Sequence, residues 1–593
     1  MGEIRLSGIG VSPGIIIGPV QVRASDSLNV QPRSLRDNEV DAELRRFQGA
    51  LDRTSKEIRK TLDQVANRMG TESAGIFEAH LLILQDPMLL EPVDGMIRTE
   101  RVNADYALQQ CLQILVKQFR GLKDEYLRQR ATDLEDVGRR LIEQLQGRRR
   151  RKLRSSDVPF ILVADDLSPS ETAELDTDQV LALITEKGSL ASHTTILCRS
   201  VGVPAIVGAE GVLTHVKDGD LAILDGSTGK IYVHPSVRTT KRFREARQVF
   251  KEFELALSEI QDAPAVTRDG HTIELSCNLE LSSELDKVIR SGGRGVGLFR
   301  SEYLYLAARS MPSEKYQYRE YVEAARAMHP HPLTIRTFDL GGDKQPAGMD
   351  FPSEANPFLG WRAIRVSLDR PRMFRTQLRA ILRASELGNV RLMFPMISGT
   401  DELREALDVL ESVKKELRES RISFDESMKV GIMVEVPSAV LCAPELARMV
   451  DFFSIGTNDL TQYLLAVDRN NKLVGHLFSS LNPAVLRSIA LTVQAGRKAG
   501  IQVGMCGELA GDPSATMLLV GLGLDELSVS PVILPEIKML IRSMSQKEAR
   551  QLTRRIMALD SAEEIARTCQ QCMRERFPSF PIWAENLLNH PVQ

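Results

Sequence analysis

Eight short apolar runs alternate with helical segments along the C-terminal half of the chain, at 273–278, 295–299, 333–335, 390–394, 430–434, 452–455, 502–505 and 527–530. Strands covered on both faces read as continuous apolar stretches, and a strand separated from the next by a helix pairs with it in parallel. Eight such units in series predict a closed (β/α)8 barrel over residues 263–593. An open doubly wound sheet would use the same elements, but the glycine fingerprint of its switch point is missing.

In a barrel of this kind the carboxyl ends of the strands converge on one mouth, where active sites sit. The residues at or just past those ends are Arg300 and Glu302, Arg336, Glu435, Asn458 and Asp459, then Cys506 and Glu508, with Arg469 following the sixth strand. Arginines clamp phosphate and carboxylate groups bidentately. Two carboxylates with spare coordination positions suit Mg²⁺, which keeps water and binds substrate oxygens. A thiol can serve as a proton donor as well as a nucleophile. Together these groups imply a small ligand that carries both phosphate and carboxylate and needs a metal.

A chain of 593 residues exceeds one hydrophobic core, so two to four domains are expected. The opening stretch to about Ala24 alternates glycine with β-branched residues and reads as strands and turns. Residues 25–154 turn helical, with apolar residues every three or four positions, and read as an inserted bundle of about four helices. Strand signals return at 160–163, 180–184, 205–207 and 221–224, so residues 1–24 and 155–235 read as one interrupted α/β domain. The charged segment 236–262 reads as a helical linker.

His193 stands out in the N-terminal half. It lies in Gly188-Ser-Leu-Ala-Ser-His-Thr-Thr-Ile-Leu-Cys-Arg199, where small and hydroxylated neighbours leave room beside the ring and Arg199 adds positive charge. An imidazole nitrogen is a competent phosphoryl acceptor near neutral pH.

The remaining features exclude more than they assign. A net charge of -3 gives no general pull towards nucleic acid or anionic membrane. The basic run Arg148-Arg-Arg-Arg-Lys-Leu-Arg154 lacks interleaved aromatic residues and reads as a solvated linker. With no apolar run long enough to span a bilayer and no signal pattern at the N-terminus, the chain reads as cytosolic. Seven scattered cysteines argue against a disulfide framework, and the lone Cys569/Cys572 pair is weak grounds for a metal.

Several longer motifs resemble Enzyme I, the phosphoenolpyruvate-protein phosphotransferase family of the bacterial sugar phosphotransferase system. They are Asp166-Leu-Ser-Pro-Ser-Glu-Thr172, Ser192-His-Thr194, Gly297-Leu-Phe-Arg-Ser-Glu302 and Ile335-Arg-Thr-Phe-Asp-Leu-Gly-Gly-Asp-Lys344. Asn356-Pro-Phe-Leu-Gly-Trp-Arg-Ala-Ile-Arg365, Met433-Val-Glu435, Phe453-Ser-Ile-Gly-Thr-Asn-Asp-Leu-Thr-Gln462 and Gly504-Met-Cys-Gly-Glu-Leu-Ala-Gly511 complete the set.

The resemblance implies that His193 is phosphorylated through Nε2 and hands the group to a phosphocarrier of the HPr type docked on the helical insertion. It implies that Arg300 and Arg336 hold the phosphate of phosphoenolpyruvate, that Asn458 and Asp459 line the site, and that Arg469 helps bind substrate. Glu435 and Asp459 would hold Mg²⁺, and Cys506 would protonate the enolpyruvate methylene to give pyruvate. Thr172 would contact the histidine, with Arg199, Glu302, Lys344 and Arg362 in support. A homodimer formed through the barrel and a hinge in the linker are implied as well.

One stretch departs from the family. A Gly-Gly-Arg-Thr sequence usually precedes the Ser-His pair, whereas here it is Gly188-Ser-Leu-Ala191, which leaves phosphate stabilisation, transfer rate and choice of carrier open. Two rivals stay beside the main reading. One is an enzyme like phosphoenolpyruvate synthase or pyruvate phosphate dikinase, which would need a nucleotide site for which no GxxxxGK[ST] is found. The other is a non-catalytic regulator that docks carriers.

Overall fold

The computed structural model describes residues 2–12, 14–23, 30–69, 71–120, 125–147, 158–167, 171–172, 176, 179–188, 195, 203–306, 311–341, 351–352, 354–469, 471 and 473–577. His193, Arg199 and Lys344 lie outside them. The chain divides into two compact units, one running to Lys251 and the other beginning at Glu252.

The first unit is built on eight strands: β1 (Ile4–Ser7), β2 (Ile9–Ser12), β3 (Ile15–Arg23), β4 (Phe160–Ala164), β5 (Val180–Thr185), β6 (Ala205–Val207), β7 (Leu221–Asp225) and β8 (Lys230–Val233). They form one sheet in the order β1-β8-β7-β3-β4-β5-β6-β2. β3 to β6 pair in parallel, while β7, β8, β1 and β2 join antiparallel. β3 and β4 are parallel neighbours, so the chain must cross over between them. That crossover is the whole helical insertion.

Among the described residues the insertion holds five helices, Val40–Met69, Thr71–Ile83, Pro87–Thr99, Ala104–Arg120 and Glu125–Leu145, where about four are expected from the pattern. The extra break comes from Asp86-Pro87. The Asp86 carboxylate accepts a hydrogen bond from the Met88 N–H at 2.9 Å, and Pro87 takes the first helical position, where its missing N–H costs nothing. Phe47, Ile58, Phe77, Leu108, Val137 and Leu141 fill the core of the bundle.

The second unit is a closed barrel of eight strands, all paired in parallel. They are β9 (Glu274–Leu279), β10 (Val296–Arg300), β11 (Leu333–Arg336), β12 (Val390–Phe394), β13 (Val430–Val434), β14 (Phe452–Ile455), β15 (Gln502–Met505) and β16 (Glu526–Val529). The apolar runs of the sequence are these strands, shifted by a residue or so at the ends. Helices pack outside through apolar stripes, as Phe374, Leu378 and Ile381 do from Pro371–Ala384. Inside the barrel Leu298, Met393, Met433, Phe452 and Cys506 form a separate apolar plug.

Cys569 is buried among the core side chains of this unit, and Cys572 rests its Sγ against Met517 Sδ at 4.0 Å. Burial pushes the Cys569 thiol up to about 12. The pair is packing, and among the described residues no group of three or more His, Cys, Asp or Glu side chains could hold a metal. Among the same residues no helix is long and apolar enough to cross a membrane.

Glu536, on the helix Leu534–Ser543, is pushed up to about 7 by burial alone. Its proton is held more tightly in the folded barrel than in the unfolded chain. The stability this lends is complete below the ordinary carboxylate range and is lost as pH rises through about 7. Glu536→Gln, which does not titrate, is therefore expected to raise the melting temperature at pH 8 by roughly 2–4 °C and to leave it nearly unchanged at pH 4. Calorimetry at the two pH values checks this.

Candidate active site

The strand ends of the barrel gather a lattice of buried charges. Arg336 closes β11, and its guanidinium donates to the Glu302 carboxylate and lies 3.4 Å from Asp339 Oδ2. Arg362 grips the same Asp339 from the other side, at 3.0 and 3.1 Å through Nη2, and reaches Asp459 Oδ1 at 3.4 Å and the Tyr463 hydroxyl at 3.0 Å. Glu302, Arg336, Asp339 and Arg362 are each no more than 5% exposed. Burial works against the charge of both arginines, but the facing carboxylates more than offset it and hold each guanidinium above its ordinary value.

Glu435, one residue past β13, is 1% exposed and accepts a hydrogen bond from the Met396 N–H at 2.7 Å. Burial, then Asp459 and Asp339, push its carboxyl well above the usual range, against the pull of Arg336 and Arg362. Glu302, Asp339, Glu435 and Asp459 thus outnumber the two buried guanidiniums. Among the described residues no three of these carboxylates are grouped as a ready-made cation cage, so a divalent cation here would take one or two of them and fill its other positions with water and substrate oxygens.

Asn458 and Asp459 sit in the first turn of the helix Thr457–Leu465, directly after β14. Asn458 Nδ2 donates to Glu508 Oε1 at 2.9 Å, and the Glu508 N–H returns a bond to Asn458 Oδ1 at 3.0 Å, so the ends of β14 and β15 are clasped together. Glycine makes this contact possible. A Cβ on Gly507 would stand 1.9 Å from Thr457 Oγ1, and one on Gly456 would stand 2.8 Å from Glu435 Oε2.

Cys506 caps the apolar plug at the end of β15 and is 3% exposed. Burial pushes its thiol up to about 11, although the Ser454 hydroxyl and Arg336 pull the other way. The sulfur therefore carries a proton at neutral pH. Glu435 and Arg300 also act on it electrostatically, so the thiol shares one mouth with the charge lattice.

Arg300 is only half-buried and donates to Glu280 Oε1 at 2.8 Å. Arg469 is exposed, and among the described residues its guanidinium meets none of these carboxylates; its backbone N–H donates to Gln462 Oε1 at 3.3 Å. In the first unit Thr172 is buried beside Glu171, which Arg23, at the end of β3, holds at 2.6 Å. Arg139 of the bundle approaches the same Glu171 carboxylate at 3.9 Å. A mainly apolar cavity of about 580 Å³ adjoins the lattice, lined by Met396, Val436 and Tyr463 on that side and by Phe358, Leu359 and Pro437 among others.

Sequence reasoning missed Asp339 and Tyr463. Asp339 lies three residues past a strand end, inside a motif already singled out, and its position was the available signal. Tyr463 sits one helical turn beyond Asp459, and nothing local marks it.

Three family descriptions cover nearly all of this chain. A PEP-utilising enzyme, PEP-binding domain matches residues 235–546, a PEP-utilising enzyme, N-terminal domain matches 7–130, and a PEP-utilising enzyme, mobile domain matches 157–229. The phosphoenolpyruvate-protein phosphotransferase of Haemophilus influenzae is 40% identical over 570 residues, 96% of this chain and 99% of the relative. The chain belongs to the phosphoenolpyruvate-protein phosphotransferase family. Phosphoenolpyruvate-protein phosphotransferases of Bacillus subtilis and Staphylococcus carnosus are 39% and 38% identical over 561 residues, covering 95% of this chain and 98% of each relative. The phosphotransferase family thus accounts for the barrel and for the N-terminal unit alike.

Asp339 is the shared counter-ion of two buried arginines. Breaking a buried pair costs about 3–5 kcal/mol, because a charge is left without its partner. Asp339→Asn is expected to lower the barrel's melting temperature by several degrees while leaving far-ultraviolet circular dichroism at 20 °C unchanged. A variant that melts like the parent would remove Asp339 from this role.

Proposed function

We propose that the chain takes the phosphoryl group of phosphoenolpyruvate onto His193 Nε2 and passes it to a histidine of an HPr-like carrier, releasing pyruvate. The observation that carries the reading is the convergence of Arg336, Arg362, Glu435, Asp459 and the Cys506 thiol on one barrel mouth. A ligand with a phosphate, a carboxylate and a carbon in need of a proton matches that set of groups.

Arg300 and Arg336 bind the phosphate, with Arg469 joining from its loop and Asn458 lining the site. Glu302 and Arg362 keep Arg336 and Asp459 in place, and Lys344 and Arg199 add positive charge on the phosphate's path. Glu435 and Asp459 are the residues that would hold Mg²⁺, which when bound neutralises charge on the phosphate and carboxylate oxygens. Phosphoryl transfer calls for in-line placement and charge neutralisation more than for covalent help. The bond from phosphorus to the enol oxygen breaks as the bond to Nε2 forms, and the enolate's methylene carbon takes the Cys506 proton. Solvent then reprotonates the sulfur. Conversion of enol to ketone draws the transfer forward.

The acceptor belongs to one unit and the substrate site to the other, and the transfer requires the imidazole to reach the barrel mouth. The helix Val237–Glu259 carries the boundary between the units, and its buried residues are confined to Thr239, Thr240 and Phe243 near its start. A long helix with so little buried beyond its first turns suits a hinged connector. Thr172 would receive the histidine in the first unit, and the helical insertion would dock the carrier. The protein would act in the cytoplasm and pair with a second copy through the barrel.

Incubation with phosphoenolpyruvate labelled with ³²P and with Mg²⁺ is expected to place acid-labile, base-stable label on His193. His193→Ala should take up none; equal labelling of that variant would mean the acceptor lies elsewhere. Cys506→Ala is expected to slow pyruvate release by about 10²-fold or more, the usual share of a positioned general acid. Coupled pyruvate detection checks the rate.

A further inference from the structure

Beneath the barrel mouth lies a buried polar chain that touches neither a metal ligand nor the thiol. Gln377, fully buried on the helix Pro371–Ala384, stands at its centre. The Phe338 N–H can only donate, so the side-chain atom that faces it at 3.0 Å must be the amide oxygen of Gln377. The amide nitrogen then donates both hydrogens, one to Ser301 Oγ at 2.9 Å and one to the Tyr321 hydroxyl at 3.1 Å.

With those acceptors used, the hydroxyls spend their own hydrogens further on. Ser301 Oγ donates to the Arg336 carbonyl at 2.8 Å, and Tyr321 donates to Gln317 Oε1 at 3.2 Å. Tyr305 donates to the same Gln317 oxygen at 3.2 Å, and Gln317 Nε2 donates to the Pro312 carbonyl at 3.1 Å. From the Phe338 N–H to the Gln317 oxygen each hydrogen has one destination, which fixes the direction of the chain.

Ser301 lies between Arg300 and Glu302, and Phe338 lies between Arg336 and Asp339 in the chain. One amide therefore ties together the ends of β10 and β11, the two strands that carry the phosphate-binding arginines. We propose that Gln377 is a positioning residue for Arg300 and Arg336, acting through Ser301 and the Phe338 backbone. This rests on the reading of the mouth as a phosphoenolpyruvate site.

Glutamate at position 377 would keep the size and supply no hydrogen when ionised. Ser301 and Tyr321 would then have to turn their hydroxyls towards it and give up Arg336 and Gln317. Leucine would remove the bridge altogether. A purely structural role would lower only the amount of folded enzyme, which leaves KM unmoved. KM for phosphoenolpyruvate is therefore the deciding readout.

Gln377→Glu and Gln377→Leu are both expected to raise KM at least ten-fold, as is Ser301→Ala. Gln377→Leu combined with Ser301→Ala should be no more than about two-fold worse than the weaker single variant, since both break one bridge. A KM within two-fold of the parent in folded Gln377→Leu would overturn the proposal, and so would full additivity in the double variant. Hydrogen exchange of residues 333–341 reads the bridge without turnover. The Phe338 amide should exchange at least ten-fold faster in Gln377→Leu, and an unchanged rate would also overturn the proposal. Failure of the parent chain to release pyruvate would instead defeat the reading of the site.

Discussion

The barrel mouth depends on a run of buried charges that cannot exist singly. From Glu302 to Arg336, to Asp339, to Arg362 and on to Asp459, each group's desolvation is offset only by its neighbours. The run joins the loops after β10, β11 and β14, so it sets loop geometry as well as charge. Replacing it with apolar side chains would serve stability equally well or better. Its presence suits the anion site proposed here: the guanidiniums are already held, and binding need not order them.

Two further features keep that mouth rigid. Ala363 and Met396 adopt left-handed backbone conformations, with φ of 52° and 57°, beside Arg362 and within the loop that donates to Glu435. Side chains with a Cβ pay for such a conformation, and it persists only where the surroundings over-determine it. Two glycines do the converse: Gly507 lets the Cys506 turn approach Thr457, and Gly456 lets the backbone after β14 approach Glu435, more closely than a side chain would permit. Strain thus falls on the loops after β11 and β12, and close approach on those after β14 and β15, all four at the same mouth.

Much of this was legible in the sequence because parallel strands buried on both faces leave an unambiguous apolar trace, and the candidate site residues come directly after it. Arg336, Glu435, Asp459 and Cys506 could be named by counting to the end of each run. Asp339 was less visible because two residues of loop, Thr337 and Phe338, separate it from β11. Gln377 was invisible. A glutamine on a helix reads as solvated surface, and only the fold reveals that its face of Pro371–Ala384 is turned inwards on two hydroxyls and an amide. The insertion was read one helix short because Asp86-Pro87, a start signal, sits within an apolar stretch that looks continuous. His193, Arg199 and Lys344 were named from motif alone and lie outside the described residues.

The mouth combines two environments that ordinarily exclude each other. The apolar lining of Leu298, Met393, Met433 and Phe452 holds the Cys506 proton more firmly than water would hold that of an exposed thiol. The phosphate needs dense positive charge, which an apolar lining penalises. The barrel separates the demands by depth: side chains inside the strands form the plug, and residues at or past the strand ends form the lattice. Arg336 stands at the junction, with Nη1 against Met433 Sδ at 3.5 Å and Nη2 on Glu302. On the proposed reading its guanidinium lowers the cost of negative charge where an enolate would form, while the plug beneath it keeps Cys506 protonated. A barrel offers this stratification because one strand delivers successive inward side chains at successive depths, and eight strands deliver them around one axis.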